Sequence, residues 1–403
     1  MIVREPLVHA VYYYLREAPG DNPERRRARH EAFVADAQHM LQSLSGWLSI
    51  PVPDLPEIPA WDDRAPLDVH PLITTGELQG RVNASAWLTA YVLRNTLLLR
   101  VVVARPGEHD QTVWAMLDES LGDRPTTPSW LHTEHYWCGI APRPPEDLEQ
   151  GRLLPIKTPF GVLCLGWGGS SNLLVYADAR TERRANVFLR SLGAQLDWYT
   201  VQARYRFSEY ENRASAAART QQQALDRVAQ SVHEWASPRK PDRLRAASPL
   251  QTELETLEKT YQDVLADWSA TQATAQDIRV LMDEYRLTLM QSGLWDAAPS
   301  VWEARVATLG TIQARIEADV SYIDSTLRRT ELLLRGMHTR VALLQSERER
   351  FLVYLVAMLG LAMLAVLVAD TSLTRVAVRL LALIFVAGVV WTAWQTWLQT
   401  RLP

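Results

Sequence analysis

Three side chains in one short stretch are of types that bind metals or act as nucleophiles. His132 and His135 flank Thr133 and Glu134, and Cys138 follows three residues later. Histidines at this spacing could begin a zinc site, but no third ligand lies nearby in sequence. A thiol close to two histidines could be activated for attack, although sequence proximity does not make a catalytic dyad. We expect neither a metal site nor a catalytic cysteine here.

A glycine-rich stretch from Gly166 to Asn172 is the other candidate for chemistry. It lacks the Lys-Ser/Thr pair of a phosphate-binding loop, and it joins two predicted strands rather than opening a helix. A hairpin turn is therefore the preferred interpretation. The sequence also has no Gly-x-Ser-x-Gly and no His-Glu-x-x-His motif. We expect no enzyme and no cofactor.

Charge, cysteine content and the first residues disfavour a nucleic-acid-binding protein and an exported, disulfide-bonded protein. The 403 residues carry a net charge of −4 without long blocks of either sign, which disfavours a nucleic-acid partner. Cys138 and Cys164 are far apart and indicate two buried thiols in a reducing compartment. The first residues, Met-Ile-Val-Arg-Glu-Pro, lack a secretory pattern, so this part of the chain is expected to stay in the cytoplasm.

Short strands and helices mix without strict alternation over residues 1–180, which is typical of an α+β domain. A turn at Asn95 precedes one of the strands. We predict strands at 8–15, 97–104, 135–140, 160–165 and 173–176, and helices at 24–44 and 111–121. A long helical segment follows over 181–236.

A basic linker, residues 237–249, separates this part from the rest of the chain. Its two prolines and its basic side chains predict an extended segment that is open to a protease. The candidate cleavage residues are Arg239, Lys240, Arg243 and Arg245. Cleavage would detach the N-terminal domain, whereas the simpler alternative is an ordinary interdomain linker.

Two heptad seams predict an antiparallel coiled-coil stalk over residues 250–350. The first steps by four and three from Leu250 to Leu289, and the second runs from Leu309 to Leu344 with one stutter. The helix breaker Gly293 lies between them. Such a stalk could transmit motion or act as a passive spacer.

Two apolar runs predict a transmembrane hairpin over 351–398, followed by a tail at 399–403. The two helices are placed at 351–369 and 376–398, and tryptophans near the end of the second form an interfacial belt. Without an export signal, both termini are expected on the cytoplasmic side of a bacterial inner membrane.

Small and charged residues of this hairpin are candidates for contact between copies or for a pore. The alanines permit close helix packing and predict a homo-oligomer in the lipid bilayer. The two arginines either snorkel to headgroups or form a positive ring at a pore mouth. The candidates are Ala362, Ala365, Ala369, Asp370, Arg375 and Arg379.

The layout of α+β domain, stalk and two terminal spans resembles the CorA-type magnesium channels. In that family the loop between the spans carries Gly-Met-Asn. Residues 369–375 contain none of these three residue types. The resemblance therefore implies a divalent-cation transporter only as an alternative.

A second resemblance, to the CATRA (caspase and TPR repeat-associated) family, covers more of the chain. It rests on Leu7-Val-His-Ala-Val, on the Trp-rich middle, on Leu196-Asp-Trp-Tyr-Thr and on Leu332-Leu-Leu-Arg-Gly-Met-His-Thr-Arg-Val-Ala-Leu-Leu. The resemblance implies a role in bacterial conflict systems, with a caspase-like peptidase or a TPR protein as partner.

These observations predict an α+β cytosolic domain followed by a long antiparallel coiled-coil stalk and a two-helix transmembrane hairpin. The expected function is a membrane-anchored, oligomeric effector or channel-like component of antiviral defence, signalled through its cytosolic domain. The alternatives are a CorA-like transporter and a non-conducting membrane adaptor.

Overall fold

The computed structural model describes residues 2–18, 20–59, 69–80, 83–122, 125, 127–141, 155–167, 171–213 and 247–368, with single helical positions at 376, 380, 384, 387 and 388. The chain forms two compact units. We call Met1–Glu209 with Gln276–Ala314 the sheet unit, and Tyr210–Ala275 with Arg315–Pro403 the helical unit.

Ten strands and seven helices make up the described part of the chain. The strands are β1 (Ile2–Leu15), β2 (His70–Thr74), β3 (Leu78–Gln79), β4 (Ser85–Leu93), β5 (Thr96–Ala104), β6 (Glu108–Asp110), β7 (Trp130–Ile140), β8 (Ile156–Thr158), β9 (Gly161–Trp167) and β10 (Ser171–Tyr176). The helices are α1 (Pro23–Leu48), α2 (Val113–Glu119), α3 (Ala179–Arg190), α4 (described over 192–213), α5 (Ala247–Gln291), α6 (Leu294–Ala297) and α7 (Pro299–Val368).

One sheet contains all ten strands, in the order β2-β4-β5-β1-β7-β10-β9-β8, with β3 paired to β4 and β6 to β1. Neighbours are antiparallel except β7 and β10, which are parallel. The long strand β1 lies in the middle and is buried from Pro6 onward. A strand covered on both faces reads as a nearly continuous apolar run, as β1 does from Pro6 to Leu15 with the exception of His9.

Each face of the sheet packs against helices, so the sheet unit has two cores. Alternate side chains of β1 point to opposite faces, and Tyr14 belongs to the core under α1 and α2, whereas Tyr13 belongs to the other core. The second core lies under α3, α4 and the segment 276–314, which contributes Tyr285 and Trp302. This second face carries the polar groups described below.

Local chemistry sets the boundaries of several helices. Asn22 caps α1 by accepting a hydrogen bond from the Arg25 backbone N–H, and Pro23 occupies the first helical position. At the end of α5, Gly293 adopts φ +71°, and Pro299 begins α7. The short helix α6 lies between these two residues.

In the helical unit, α5 and α7 run antiparallel and share an apolar core. Leu257 of α5 and Met337 of α7 are buried there with Leu254, Val264 and Leu327. On the surface of the pair, His338 Nε2 lies 3.1 Å from Glu258 Oε1. The first residues of the predicted stalk therefore pair with residues near its end, as an antiparallel hairpin requires.

The predicted transmembrane hairpin is wrong, and the fold class needs correction on this point. Among the described residues, no helix combines the length and the hydropathy that crossing a bilayer needs. Residues 351–368 are the last part of α7 and continue the heptad helix without a break. An apolar run at this position does not by its sequence alone distinguish a membrane span from a helix that packs against protein.

Two further expectations depended on that hairpin and are wrong with it. They are the bacterial inner-membrane localisation with two spans and the description of the chain as a membrane ion channel. The second predicted span, 376–398, lies outside the described residues except for five helical positions. What the structure shows instead is a mixed α/β domain built on a ten-stranded sheet, together with long helices.

Candidate functional site

The two-residue loop between β4 and β5 holds an arginine in an unusual backbone conformation. Leu93 pairs with Thr96, so Arg94 and Asn95 alone form the turn. Arg94 has φ +51°, a region that glycine adopts readily and that costs other residues about 1–2 kcal/mol. Strain of this kind persists only where the surroundings hold the residue in place.

The side chain of Arg94 is held by one acid and two aromatic rings. Its Nη1 donates to Oε2 of Glu284 on α5 at 2.8 Å. Its guanidinium carbon lies 4.7 Å from the ring centroid of Trp198 and 5.8 Å from that of Tyr199, both on α4. Cation–π contacts of this geometry stabilise by about 0.5–1 kcal/mol each. The hairpin, α4 and α5 therefore meet at Arg94.

Buried hydrogen bonds fix the groups beneath Arg94. The Thr96 hydroxyl accepts from Trp198 Nε1 at 2.8 Å and from Gln202 Nε2 at 2.9 Å. Asn95 Nδ2 donates to Gln202 Oε1 at 3.5 Å. Since these partners are themselves buried, α4 is held in one register against the hairpin.

An open cleft of about 530 Å³ lies beside this cluster, entirely within the sheet unit. This volume is within the range of small-ligand sites. Its lining includes the apolar side chains of Trp198, Val280 and Leu281. Six charged side chains also line it: Glu17, Arg26, Arg94, Arg206, Asp277 and Glu284. The lining therefore combines apolar and charged groups, as small-ligand sites do.

A buried carboxyl group lies one residue before Trp198. Asp197 is 1% exposed, and its Oδ2 accepts a hydrogen bond from the Tyr136 hydroxyl on β7 at 2.5 Å. Burial, followed by the charge of the neighbouring Glu134, raises the pKa of Asp197 to about 8. Asp197 therefore keeps its proton at neutral pH.

The pKa of the neighbouring Glu134 is shifted in the opposite direction. Burial alone would raise the pKa of Glu134, but the hydrogen bond and charge of His132, with Arg305 and Arg204, outweigh burial and lower it. Asn172 Nδ2 also donates to Glu134 Oε2 at 3.2 Å. Two adjacent carboxyl groups thus hold one proton between them at neutral pH, on Asp197.

The residues singled out first in the sequence do not form a site together. His132 pairs with Tyr13 across the sheet and His135 with Ala10, so the two histidines point to opposite faces of β7. Their ring nitrogens contact Glu134 and Asp118 respectively. Burial raises the pKa of the Cys138 thiol, which disfavours the reactive thiolate.

Most of the other predicted site residues lie outside the described residues. This holds for Ala369, Asp370, Arg375 and Arg379 and for the linker residues Arg239, Lys240, Arg243 and Arg245. Ala362 and Ala365 lie on the α7 backbone. The cleft residues were not predicted from sequence, although the turn at Asn95 and the segment Leu196-Asp-Trp-Tyr-Thr were both noted.

Two substitutions of Arg94 distinguish the stability that its side-chain contacts contribute from the cost of its positive φ. Arg94→Ala should lower the free energy of unfolding by about 1 kcal/mol, because it removes a half-exposed ion pair and the ring contacts. Arg94→Gly removes the same contacts but relieves the positive φ, so it should be more stable than the alanine variant by about 1 kcal/mol. Urea unfolding of both variants measures the difference. Equal stabilities would show that the turn is unstrained.

Comparison with protein-family models, curated proteins and solved structures finds no match to this chain.

Proposed function

We propose that this protein is a non-enzymatic sensor whose cleft binds a ligand and whose helix α5 relays occupancy to the helical unit. The observation that carries the proposal is that α5 has two roles. Its residues Asp277, Val280 and Glu284 line the cleft, and its residues Leu257 and Val264 belong to the core of the helical unit. One helix, Ala247–Gln291, carries both sets of residues, and a continuous secondary-structure element is a physical route by which two positions can be coupled.

Exposed apolar side chains in the helical unit support self-association as the output of the sensor. Leu352, Val353 and Val356 in the last part of α7 are 51%, 66% and 65% exposed, and the run of exposed apolar side chains continues to Met363. A contiguous exposed apolar patch of this kind is typical of surfaces that meet a partner. We include a homo-oligomer in the proposal on this basis.

The defence context of the proposal comes from the CATRA resemblance alone. In that context the sensor acts in a bacterial conflict system, and a caspase-like peptidase or a TPR protein receives its signal. Cleavage in the linker at Arg239 to Arg245 remains part of this hypothesis. Co-purification of the full chain with a peptidase from the same system would support it.

Filling the cleft with a side chain tests the relay without any ligand. Val280 lines the cleft and is 44% exposed, and Val280→Trp should occupy part of the volume. We expect hydrogen exchange of backbone amides at 254–271 to change about fivefold or more, a coupling of about 1 kcal/mol. The measurement is hydrogen–deuterium exchange of the full chain followed by peptide mass spectrometry.

The matched control is Leu287→Trp. Leu287 lies two turns further along α5, is 54% exposed, and does not line the cleft. This variant adds the same indole ring outside the cleft and should leave exchange at 254–271 unchanged. If both variants give the exchange of the native chain, α5 does not relay occupancy and the sensor proposal fails.

A further inference from the structure

Of the six charged side chains that line the cleft, four are paired with each other. Arg94 pairs with Glu284 at 2.8 Å, and Arg26 pairs with Glu17 at 3.4 Å. Within the described part of the chain, the remaining arginine, on α4, and the remaining aspartate, on α5, form no ion pair: Arg206 and Asp277. The cleft therefore offers a ligand one unpaired cation and one unpaired anion.

These two unpaired charges lie at the same end of the cleft. Trp198 of α4 and Glu284 of α5 both contact Arg94, so the two helical walls of the cleft start from one point. From there the α4 wall continues for eight residues, or about 12 Å, to Arg206. The α5 wall continues for seven residues in the opposite chain direction, or about 10 Å, to Asp277. Because both walls line one cleft, Arg206 and Asp277 lie side by side at its far end.

The position of the two unpaired charges selects the kind of ligand. A ligand that pairs with both must carry a negative and a positive group next to each other, because its two partners lie side by side. A polyanion would place its further negative charges near the carboxylates of the cleft, and like charges at short range repel. In a peptide, each further residue separates the terminal ammonium and carboxylate groups by up to about 3.3–3.6 Å. In a free α-amino acid, both groups are bonded to one carbon.

Apolar side chains lie one helical turn from the unpaired aspartate. Val280 and Leu281 follow Asp277 by three and four residues, so all three are on one face of α5, and all three line the cleft. Val280 is 44% exposed, so part of its apolar surface is open to a ligand. The α5 wall of about 10 Å between Asp277 and Glu284 leaves room for a side chain as large as that of phenylalanine.

We propose that the cleft binds a free α-amino acid with a large apolar side chain. The carboxylate of the ligand pairs with Arg206, its ammonium group pairs with Asp277, and its side chain packs on Val280 and Leu281. This inference rests on the proposed function, since it names the ligand class of the same cleft. It makes the signal that the protein detects a small metabolite rather than a macromolecule.

Ligand-observed saturation-transfer NMR titrations of the full chain test the proposal, with L-phenylalanine as the probe. Four compounds form the comparison set. N-acetyl-L-phenylalanine lacks the ammonium charge, L-phenylalaninamide lacks the carboxylate charge, and glycine lacks the side chain. The dipeptide of L-phenylalanine keeps both charges but separates them. We expect phenylalanine to bind at least about tenfold more tightly than each of the four.

Two variants identify the partner of each ligand charge. Arg206→Gln should bind phenylalanine about tenfold more weakly and should no longer distinguish it from phenylalaninamide, because the partner of the carboxylate is gone. Asp277→Asn should lose about as much affinity and should no longer distinguish phenylalanine from its N-acetyl form. General loss of structure would not remove one of these preferences and keep the other. Met290→Gln, at an exposed position of α5 outside the cleft, is the control and should bind like the native chain.

The outcomes separate this inference from the sensor proposal. Absence of phenylalanine binding, a comparison compound that binds as tightly as phenylalanine, or preferences that survive in both variants would overturn the amino-acid inference. If Val280→Trp still changes exchange at 254–271 in that case, the sensor proposal stands with a different ligand. If phenylalanine binds as expected while Val280→Trp changes nothing, the relay fails and the amino-acid site remains.

Discussion

Asp197→Asn is expected to remove the loss of stability that Asp197 itself contributes to the native chain between pH 5 and pH 8. Asp197 is buried with its proton, and burial beside Glu134 raises its pKa to about 8. Its pKa is higher in the folded than in the unfolded chain, where it is near 4. The stabilisation is therefore complete below about pH 4 and is lost as the pH rises to about 8.

The size of this effect follows from proton linkage. One group with such a shift lowers the free energy of unfolding by at most about 1.4 kcal/mol per pH unit. The charged and titratable groups that face Asp197 are Tyr13 on β1, Glu134 and Tyr136 on β7, Arg204 on α4, Tyr285 on α5 and Arg305 on α7. Glu134 adds little slope above pH 5, because its pKa is lowered and it is already ionised there.

Urea unfolding at pH 5, 6, 7 and 8, followed by tryptophan fluorescence, measures the slope. The asparagine carbonyl can still accept the hydrogen bond from Tyr136, so the variant should fold. Asp283→Asn, an exposed aspartate of α5, is the matched control and should keep the native slope. Burial lowers the pKa of His9, so His9 makes stability rise with pH up to about 6.5 and opposes Asp197 there. The quantity that isolates Asp197 is therefore the stability of the native chain minus that of the variant. A difference that does not fall between pH 5 and pH 8 would contradict the assignment of the proton to Asp197.

Trp302→Ala is expected to destabilise the sheet unit by about 3–5 kcal/mol. Trp302 lies in the first turns of α7, is 1% exposed, and belongs to the core beneath the sheet. Its indole N–H also donates to the Leu294 carbonyl at 2.8 Å, which ties α7 to α6. The substitution leaves a large cavity and an unpaired carbonyl together.

A second variant, Trp302→Phe, distinguishes the cost of the cavity from the cost of the lost hydrogen bond. Trp302→Phe keeps most of the aromatic volume and loses only the hydrogen bond, so it should cost about 1–2 kcal/mol. Thermal unfolding of the three chains at one pH gives the comparison. A cost below about 1 kcal/mol for Trp302→Ala would mean that segment 276–314 is not an integral part of the sheet unit.

Local signals in the sequence place several elements well. The predicted helix 24–44 lies within α1 because Asn22 and Pro23 form a recognisable start. Gly293 and Pro299 bound the turn between the long helices for a similar reason. In each case the backbone preference of one residue sets a helix boundary, so the local sequence is sufficient to predict that boundary.

Other elements depend on what the chain packs against. Strand β4 was not predicted because it is buried along most of its length, and Ala-Trp-Leu-Thr-Ala-Tyr-Val shows no clear alternation. The predicted helix 181–236 is broken at Ser191, and Gly193 stands two residues later, already inside α4. The apolar run at 351–368 was assigned to a membrane because hydropathy alone does not show what surrounds a helix.

The candidate site could not be assembled from sequence for the same reason. Arg94 and Glu284 are 190 residues apart, and Thr96 and Gln202 are 106 apart. Only the order of strands and the return of α5 to the sheet bring them together. No spacing rule covers such distances, whereas the turn that positions Arg94 was visible at Asn95.

The sheet unit consists of two separate segments of the chain, so during synthesis on the ribosome its second core is completed late. The ten described strands have been made by residue 176, but Tyr285 and Trp302, which cover part of the second face, follow more than about 100 residues later. At about 5–20 residues per second, the nascent sheet waits roughly 6–25 seconds until Trp302 has been made. During this interval an apolar surface is open to solvent, and a holding chaperone that binds nascent chains would find its target there.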